Sequence, residues 1–337
     1  MILLSPNSDK KPFISQILQY PVSRAMLALL VIFVLGMIFN GDGAFFKWPT
    51  HRDMLRQSSV YGILACGMTL VIITAGIDLS VGSVLGFSSV LFAILSIHRD
   101  WSPWFSIPAC IALGAFLGII SGGAISRFRI QPFIATLAMM VFARGMAKFI
   151  SGGMKISTSI KQADGSYIYK NEPAIFGMID SRILGGNLAV VTLIFVLCLF
   201  LSWLILTRFR TGRYLYAIGG NEEAARLSGV PVMKAKIFAY GMCGLFSAIA
   251  GICQAAQEYQ GDPEAGISYE LSAIAIVVIG GTSLMGGRGG ILLTLFGALT
   301  IGYLEKILSI NAVGEAGRLM LTGAIIISAV LLQRGKR

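Results

Sequence analysis

The sequence predicts an all-α integral membrane protein with about ten transmembrane helices and one short helix in a connecting loop. Three observations carry that expectation. Hydrophobic residues make up 55% of the 337 and charged residues only 13%, where soluble domains carry about 25% charged residues. The mean hydropathy is +0.78, too apolar for a chain that must cover a water-facing surface with polar groups. The apolar residues also fall into recurrent stretches near the ~20 residues that cross a bilayer as a helix.

Ten such stretches follow one another: 24–40, 58–75, 82–97, 105–125, 133–150, 188–206, 236–256, 270–286, 290–309 and 317–333. Together, 24–333 form one transmembrane domain, preceded by segment 1–23 and followed by tail 334–337. The first stretch lacks a small-residue cleavage site, since Asn40-Gly41-Asp42-Gly43 follows it, so it reads as a retained span. The net charge of +11 does not point to nucleic acid, because the bases are dispersed in short runs between apolar stretches, as in positive-inside loops. Placing the N-terminus in the cytoplasm puts Lys10, Lys11, Arg127, Arg129, Arg208, Arg210, Arg213, Arg226, Lys234, Arg288 and the basic tail on one side. The segment 257–269, with Glu258, Asp262 and Glu264, then lies outside. Segment 41–57, with Lys47, Arg52 and Arg56, is the exception. Ten spans return the C-terminus to the cytoplasm.

Two connections are long. Residues 151–187 form a polar outer loop, and 207–235 form an inner one. The inner loop spells a short helix: Asn221 is a good N-cap, Glu222 and Glu223 suit the positive N-terminal end, and Gly229 and Pro231 mark its stop. A helix this short is not stable alone in water. Either it rests on its own membrane domain, or it docks into a groove of a partner through Ala224, Ala225 and Leu227.

Asp78 lies inside the apolar region from Ser58 to Ile97, within Gly76-Ile77-Asp78-Leu79-Ser80-Val81-Gly82-Ser83. An acid in a span costs roughly 2.5–3.5 kcal/mol on insertion scales, so it faces protein or water. The glycines permit a broken helix, and Asp78 or Ser80 can cap the next helix. Arg144 and Lys148 share one helix face; Arg144 is placed to meet a polar solute or an acid such as Asp78, and Lys148 to snorkel. Gly280-Gly281-Thr282-Ser283-Leu284-Met285-Gly286-Gly287 is a second glycine-rich stretch after an apolar span, a possible internal repeat of the first.

The chain lacks a phosphate-binding loop of the G-x-x-x-x-G-K-[ST] type. It also lacks a Cys-x-x-Cys pair or a hydrolytic cluster, so no metal, cofactor or catalytic residue is expected. His51 and His98 lie near loops. An ion-coupled secondary transporter would need a relay of intramembrane ionisable groups, for which Asp78 alone gives thin support.

At several blocks the sequence resembles the permease subunits of bacterial carbohydrate ATP-binding-cassette importers, the branch with ribose, xylose and galactose permeases. The blocks are Ala65–Ile72 running into Gly76–Ser83, Ile130–Leu137 with Ala143-Arg144-Gly145, Tyr216–Gly229, and Val278–Gly289. The resemblance covers roughly 55–333. It implies a second permease subunit, identical or not, two cytoplasmic ATP-binding subunits, and a periplasmic sugar-binding protein, with loop 151–187 as its contact. It places the chain in the inner membrane and implies that ATP acts through the partner subunits. It makes Gly219, Asn221, Glu222, Glu223, Ala224, Ala225 and Gly229 the coupling helix. Asp78, Ser80, Ser83, Phe133, Thr136, Arg144 and Thr282 become candidates for the solute path. Ser272, where relatives carry an acid, and Glu305-Lys306, where an Asn and small residues are usual, depart from the pattern and are compatible with a heteromeric pair.

Overall fold

A computed structural model describes residues 20–161, 165–314, 316–321, 323–324 and 327. The expected tail 334–337 and most of segment 1–23 lie outside the described residues, as does much of the expected tenth span at 317–333. The helices, in chain order, are α1 (Pro21–Ile38), α2 (Trp48–Ile73), α3 (Val81–Ala93), α4 (Pro103–Phe128), α5 (Pro132–Ser151) and α6 (Ala174–Asp180). They continue with α7 (Val190–Thr207), α8 (Arg210–Gly220), α9 (Glu222–Leu227), α10 (Val232–Glu258), α11 (Tyr269–Gly280) and α12 (Ile291–Ile310). A π-helical turn, Ile94–His98, extends α3. Two short antiparallel pairs, Ser159–Lys161 with Tyr167–Tyr169 and Arg182–Ile183 with Leu188–Ala189, lie in the 151–187 segment. Eight of the described helices are long and apolar enough to cross a membrane. The chain is an all-α integral membrane protein.

Helices α2 and α10 form the centre. From Ser58 to Ile73 every residue of α2 is buried except Tyr61, and α10 packs on α2, α3 and α4. Small residues let these backbones approach, as helix association in lipid requires: Gly67 meets Cys243, Gly118 meets the Tyr240 carbonyl, and Gly114 meets Gly244.

The expected eighth span, 270–286, is not a full span. Helix α11 has 12 residues, about 18 Å at 1.5 Å per residue, against a hydrocarbon core of ~30 Å. The missing length comes from non-helical chain. Gly261 packs on Ser89, Val90 and Ala93, whereas Gly266 packs on Gly82. Between them the Ala265 carbonyl lies against Gly86, so 261–266 follows α3 back from Ser89–Ala93 to Gly82 through turns, one closed by the Ala265 amide donating to the Asp262 carbonyl at 3.1 Å. Segment 259–268 therefore runs into the bundle alongside α3 before α11 starts.

Helix α3 is broken in the opposite sense. The chain leaves α2 at Ile73 and runs without helix to Ser80. Gly76 lies against the Tyr240 hydroxyl, and Leu85 against Gly251. Gly251 stands about 28 Å from the Val232 end of α10, so α3 also begins near the middle of the bundle. The N-termini of α3 and α11 meet at Gly82 and Gly266, each packed on the other's carbonyl oxygen, with no room for a β-carbon. Such backbone is tolerated at membrane depth only when protein covers it. Gly82 and Gly266 are both buried.

Helix α2 begins at Trp48 rather than 58, because Pro49 in its first turn starts a helix ahead of the apolar stretch. The bases of segment 41–57 find partners in the outer loop. Arg52 donates to the Gly186 carbonyl at 3.1 Å, and Arg56 forms an ion pair with Asp180. Asp53, one turn away, accepts from Arg182 at 2.7 Å. These bases are held by the 151–187 segment. The same side carries Lys148–Glu264 at 2.6 Å, Lys155–Asp262 at 3.0 Å and Lys170–Asp100. On α6, Phe176 stacks on Phe92 with ring centroids 5.1 Å apart. This is the hairpin face; the opposite side, with α8 and α9, is the lever face.

Gly82→Ala is expected to destabilise the purified protein by about 1–3 kcal/mol through overpacking, read as a lower midpoint of thermal unfolding in detergent. Gly145→Ala on α5, where an added β-carbon meets open space, is the control and leaves the midpoint unchanged or raised.

Candidate functional site

Inner loop 207–235 folds into two helices rather than one. Helix α8 has a polar and an apolar face, burying Gly212, Leu215 and Ile218. Asn221 is extended, with φ −161°, and its Oδ1 accepts from the Ala224 amide at 2.9 Å, closing the N-terminus of α9. At the other end Gly229, with φ +80°, turns the chain towards Pro231 and α10. Each local choice follows from the residue type.

Helix α9 lies on its own membrane domain through one residue. Ala225 is 5% exposed, so it does not belong to an outward docking face; it points inward because it sits one turn after the cap, facing α10. Leu227 is 82% exposed, and Ala224 and Glu223 are also exposed. Glu222 is held internally: Lys236 Nζ on α10 donates to its Oε2 at 2.5 Å, and Arg226 reaches Oε1 at 3.2 Å. Lys236 is only 12% exposed in its side chain, so its partner is fixed by packing as well as by charge.

The lever is joined to the core by backbone. The Gly287 amide donates to the Ile73 carbonyl, the last of α2, at 2.9 Å. A β-carbon on Gly219 would overlap that same carbonyl, one on Gly286 would meet Ala75, and one on Gly287 would meet Gly220. The end of α8, the end of α2 and the 281–290 loop thus interlock without intervening side chains. Tyr216 on α8 donates to the Gly289 carbonyl at 3.0 Å; burial pushes its phenol above the ordinary value, so it stays a neutral donor. Thr282 is fully buried, and its Oγ1 accepts from the Gly290 amide at 3.4 Å, closing the loop before α12.

The other expected residues gather at the α3 break. Asp78 is 1% exposed, and its Oδ1 accepts from the Ser80 amide at 2.9 Å and the Ser80 hydroxyl at 2.6 Å. It closes a turn ahead of α3 and does not reach Arg144. Ser83 is buried in the first turn of α3. Helix α5 clasps both ends of the break. Thr136 Oγ1 lies 3.4 Å from the Ile77 carbonyl, and Arg144 reaches the Gly82 carbonyl at 3.5 Å. Arg144 also donates to Ala265 at 2.8 Å and to Pro263. Its guanidinium bridges the two broken segments through their carbonyls. Glu270, in the first turn of α11, sits beside Gly82, where two helix N-termini favour a negative charge. Phe133 is 55% exposed at the start of α5 and takes no part.

Sequence reasoning missed Lys236 and Tyr240, which lie one turn apart on α10, and Glu270. The signal for the first was present: a short capped helix, a Gly-Val-Pro turn and a following helix fold back, bringing an acid and a base 14 positions apart together. The described residues hold no cluster of three or more metal-ligating side chains.

Residues 52–330 match the family model described as branched-chain amino acid transport system / permease component. The ribose import permease protein of Escherichia coli strain K12 is 38% identical over 316 residues, covering 93% of this chain and 94% of that one. The fructose import permease protein of Rhizobium meliloti is 34% identical, covering 90% and 84%. The xylose transport system permease protein of Escherichia coli strain K12 is 34% identical, covering 90% of each. No solved structure matches the chain.

The ion pair gives the first test of the lever. Glu222→Lys opposes two ammonium groups and is expected to raise hydrogen exchange of amides 221–230 severalfold. Adding Lys236→Glu restores protection, with a coupling energy on the order of 1 kcal/mol at this partly exposed pair. By the match over residues 52–330 and its high-coverage relatives, this chain belongs to the branched-chain amino acid transport system / permease component family.

Proposed function

We propose that the chain is the membrane-spanning permease subunit of an ATP-driven importer, and that its cargo is a monosaccharide. The high-coverage relatives are named for ribose, fructose and xylose, which favours a sugar over the amino acids of the family's description. Its partners are two cytoplasmic ATP-binding subunits, a solute-binding protein on the hairpin face and a second permease subunit. The chain itself contributes no hydrolytic group and binds no cofactor; ATP acts through the partner subunits. It resides in the bacterial inner membrane with both termini cytoplasmic.

One observation carries this reading: a short helix presents an exposed Leu227 and Glu223 outward while its root is interlocked with the ends of α2 and of the α11–α12 loop. An exposed leucine on a capped, ion-paired helix is a knob for another protein's groove. Force on it reaches the α2–α3 break directly, through carbonyl, amide and glycine contacts. The two half-helix N-termini at mid-bundle support a solute path there, since discontinuous helices form the binding sites of many transporters. Asp78, Ser80, Ser83, Thr136, Arg144 and Thr282 support that path by holding its backbone.

Leu227→Arg is expected to reduce ATP-driven sugar uptake at least tenfold at unchanged membrane abundance, and to weaken co-purification of the ATP-binding subunit. Normal uptake in this variant, or uptake that persists with ATP depleted and a proton gradient intact, overturns the reading in favour of ion coupling.

A further inference from the structure

A groove of about 1150 Å³ runs between α1, the end of α7 and α12. Helix α1 is the most exposed of the described spans, so the groove lies on the outside of the bundle, away from the α3–α11 break. Its mouth is at the lever face, where Gly281 lies beside Pro21 and Tyr216 borders the opening. Beyond Ile32 and Leu304 it closes, because Gly36 on α1 packs on Phe45 and Ile307.

Length, polarity and charge define what fits. The lining runs from Pro21 to Ile32 on α1 and from Ile291 to Leu304 on α12, roughly 16–20 Å at 1.5 Å per residue. That is about the depth of one leaflet, half of the ~30 Å hydrocarbon core. The inner part is apolar: past Arg24, α1 has no polar side chain up to Ile38. Thr300, which also lines it, spends its hydroxyl on the Phe296 carbonyl at 2.7 Å. The mouth, by contrast, is cationic. Arg24 and Arg288 line it, both are exposed, and neither pairs with an acid among the described residues. No acidic residue is among the described lining. Arg208 stands 5.9 Å from the ring centre of Trp203, a lining residue, and tryptophan favours the level of lipid headgroups.

We infer that this groove holds one anionic phospholipid, its phosphate at Arg24 and Arg288 and an acyl chain along α1 and α12. Basic pockets between transmembrane helices recognise such headgroups by charge. A zwitterionic lipid offers the same chains, but its ammonium group opposes the arginines. A free phosphate would meet the arginines and leave the apolar slot unfilled. Seated there, the lipid bridges α1 to the 281–290 loop and braces the joint at the root of the lever. Only the choice of the cytoplasmic leaflet rests on the importer reading.

The test uses the full-length chain, purified in detergent and stripped of lipid. It is titrated with phosphatidylglycerol or phosphatidylethanolamine, and bound lipid is counted by native mass spectrometry. One phosphatidylglycerol is expected to bind, about tenfold more tightly than phosphatidylethanolamine. Arg24→Gln with Arg288→Gln weakens it by about tenfold. Arg127→Gln with Arg129→Gln, at exposed positions beyond the lever-face end of α4 and outside the groove, leaves it unchanged. Ala28→Trp, which fills the slot, excludes both lipids, whereas millimolar inorganic phosphate displaces neither. Equal affinity for the two lipids, or an equal loss from the two arginine pairs, means general attraction to a basic face and overturns the inference. Displacement by phosphate overturns it in favour of a free-anion site. Cross-linking of a Leu27→Cys chain to another permease subunit in the complete transporter means that a subunit covers the groove, and overturns it too. None of these readouts needs ATP-driven uptake, so their failure is distinct from failure of the importer reading.

Discussion

The hydrogen bond from the Gly287 amide to the Ile73 carbonyl, set among Gly219, Gly220 and Gly286, is the joint on which the rest depends. Three segments far apart in sequence end there: the most buried helix, the helix before the lever, and the loop that launches α12. Each contributes backbone, with no side-chain layer between. Backbone contacts of this kind have little compliance, because close-packed interiors transmit displacement instead of absorbing it. On the proposed coupling role, a push on α9 would arrive at the α2–α3 break with little loss. Side chains at these positions would place flexible groups in the line of force.

The middle of the bundle is built on an opposite principle. There α3 and α11 start head to head, and the non-helical chain leading to α11 lies beside α3. Unpaired backbone groups result, and they are met from within the protein. Arg144 is the main provider, donating to carbonyls of both segments. Asp78 supplies acceptors to its own turn. An arginine in lipid is expensive; here its charge-assisted hydrogen bonds satisfy carbonyls that no helix or sheet reaches. The break is held firmly at its ends and left narrow between them, a suitable arrangement for a region that must alternate between shapes.

The two faces differ in how charge is used. On the hairpin face, bases and acids pair with one another, binding the 151–187 segment to α2, to Asp100 beyond α3 and to the 259–268 chain, and binding α5 to that same chain. On the lever face, most bases stay unneutralised, apart from Lys236 and Arg226 at Glu222. In segment 41–57, Arg52 and Arg56 are structural, held by Gly186 and Asp180.

The sequence alone determined the membrane class, most of the spans, the capped short helix and the presence of a break at Gly76–Ser83. These depend on local quantities: apolar length, the capping chemistry of Asn221, the φ range open to Gly229. It also signalled that Asp78 could not face lipid. Tertiary structure alone decided that the helix within 270–286 stops at Gly280 and that the non-helical 259–268 chain supplies the missing depth, since a run of apolar residues has the same composition either way and only packing along α3 distinguishes them. It decided that Ala225 faces inward and Leu227 outward, because a six-residue helix has too few turns to define a face by itself. It decided, too, that Glu222 belongs to Lys236 and that Arg144 serves carbonyls instead of an acid. Those partners come from remote parts of the chain, and charge in a sequence carries no record of the neighbour it will meet.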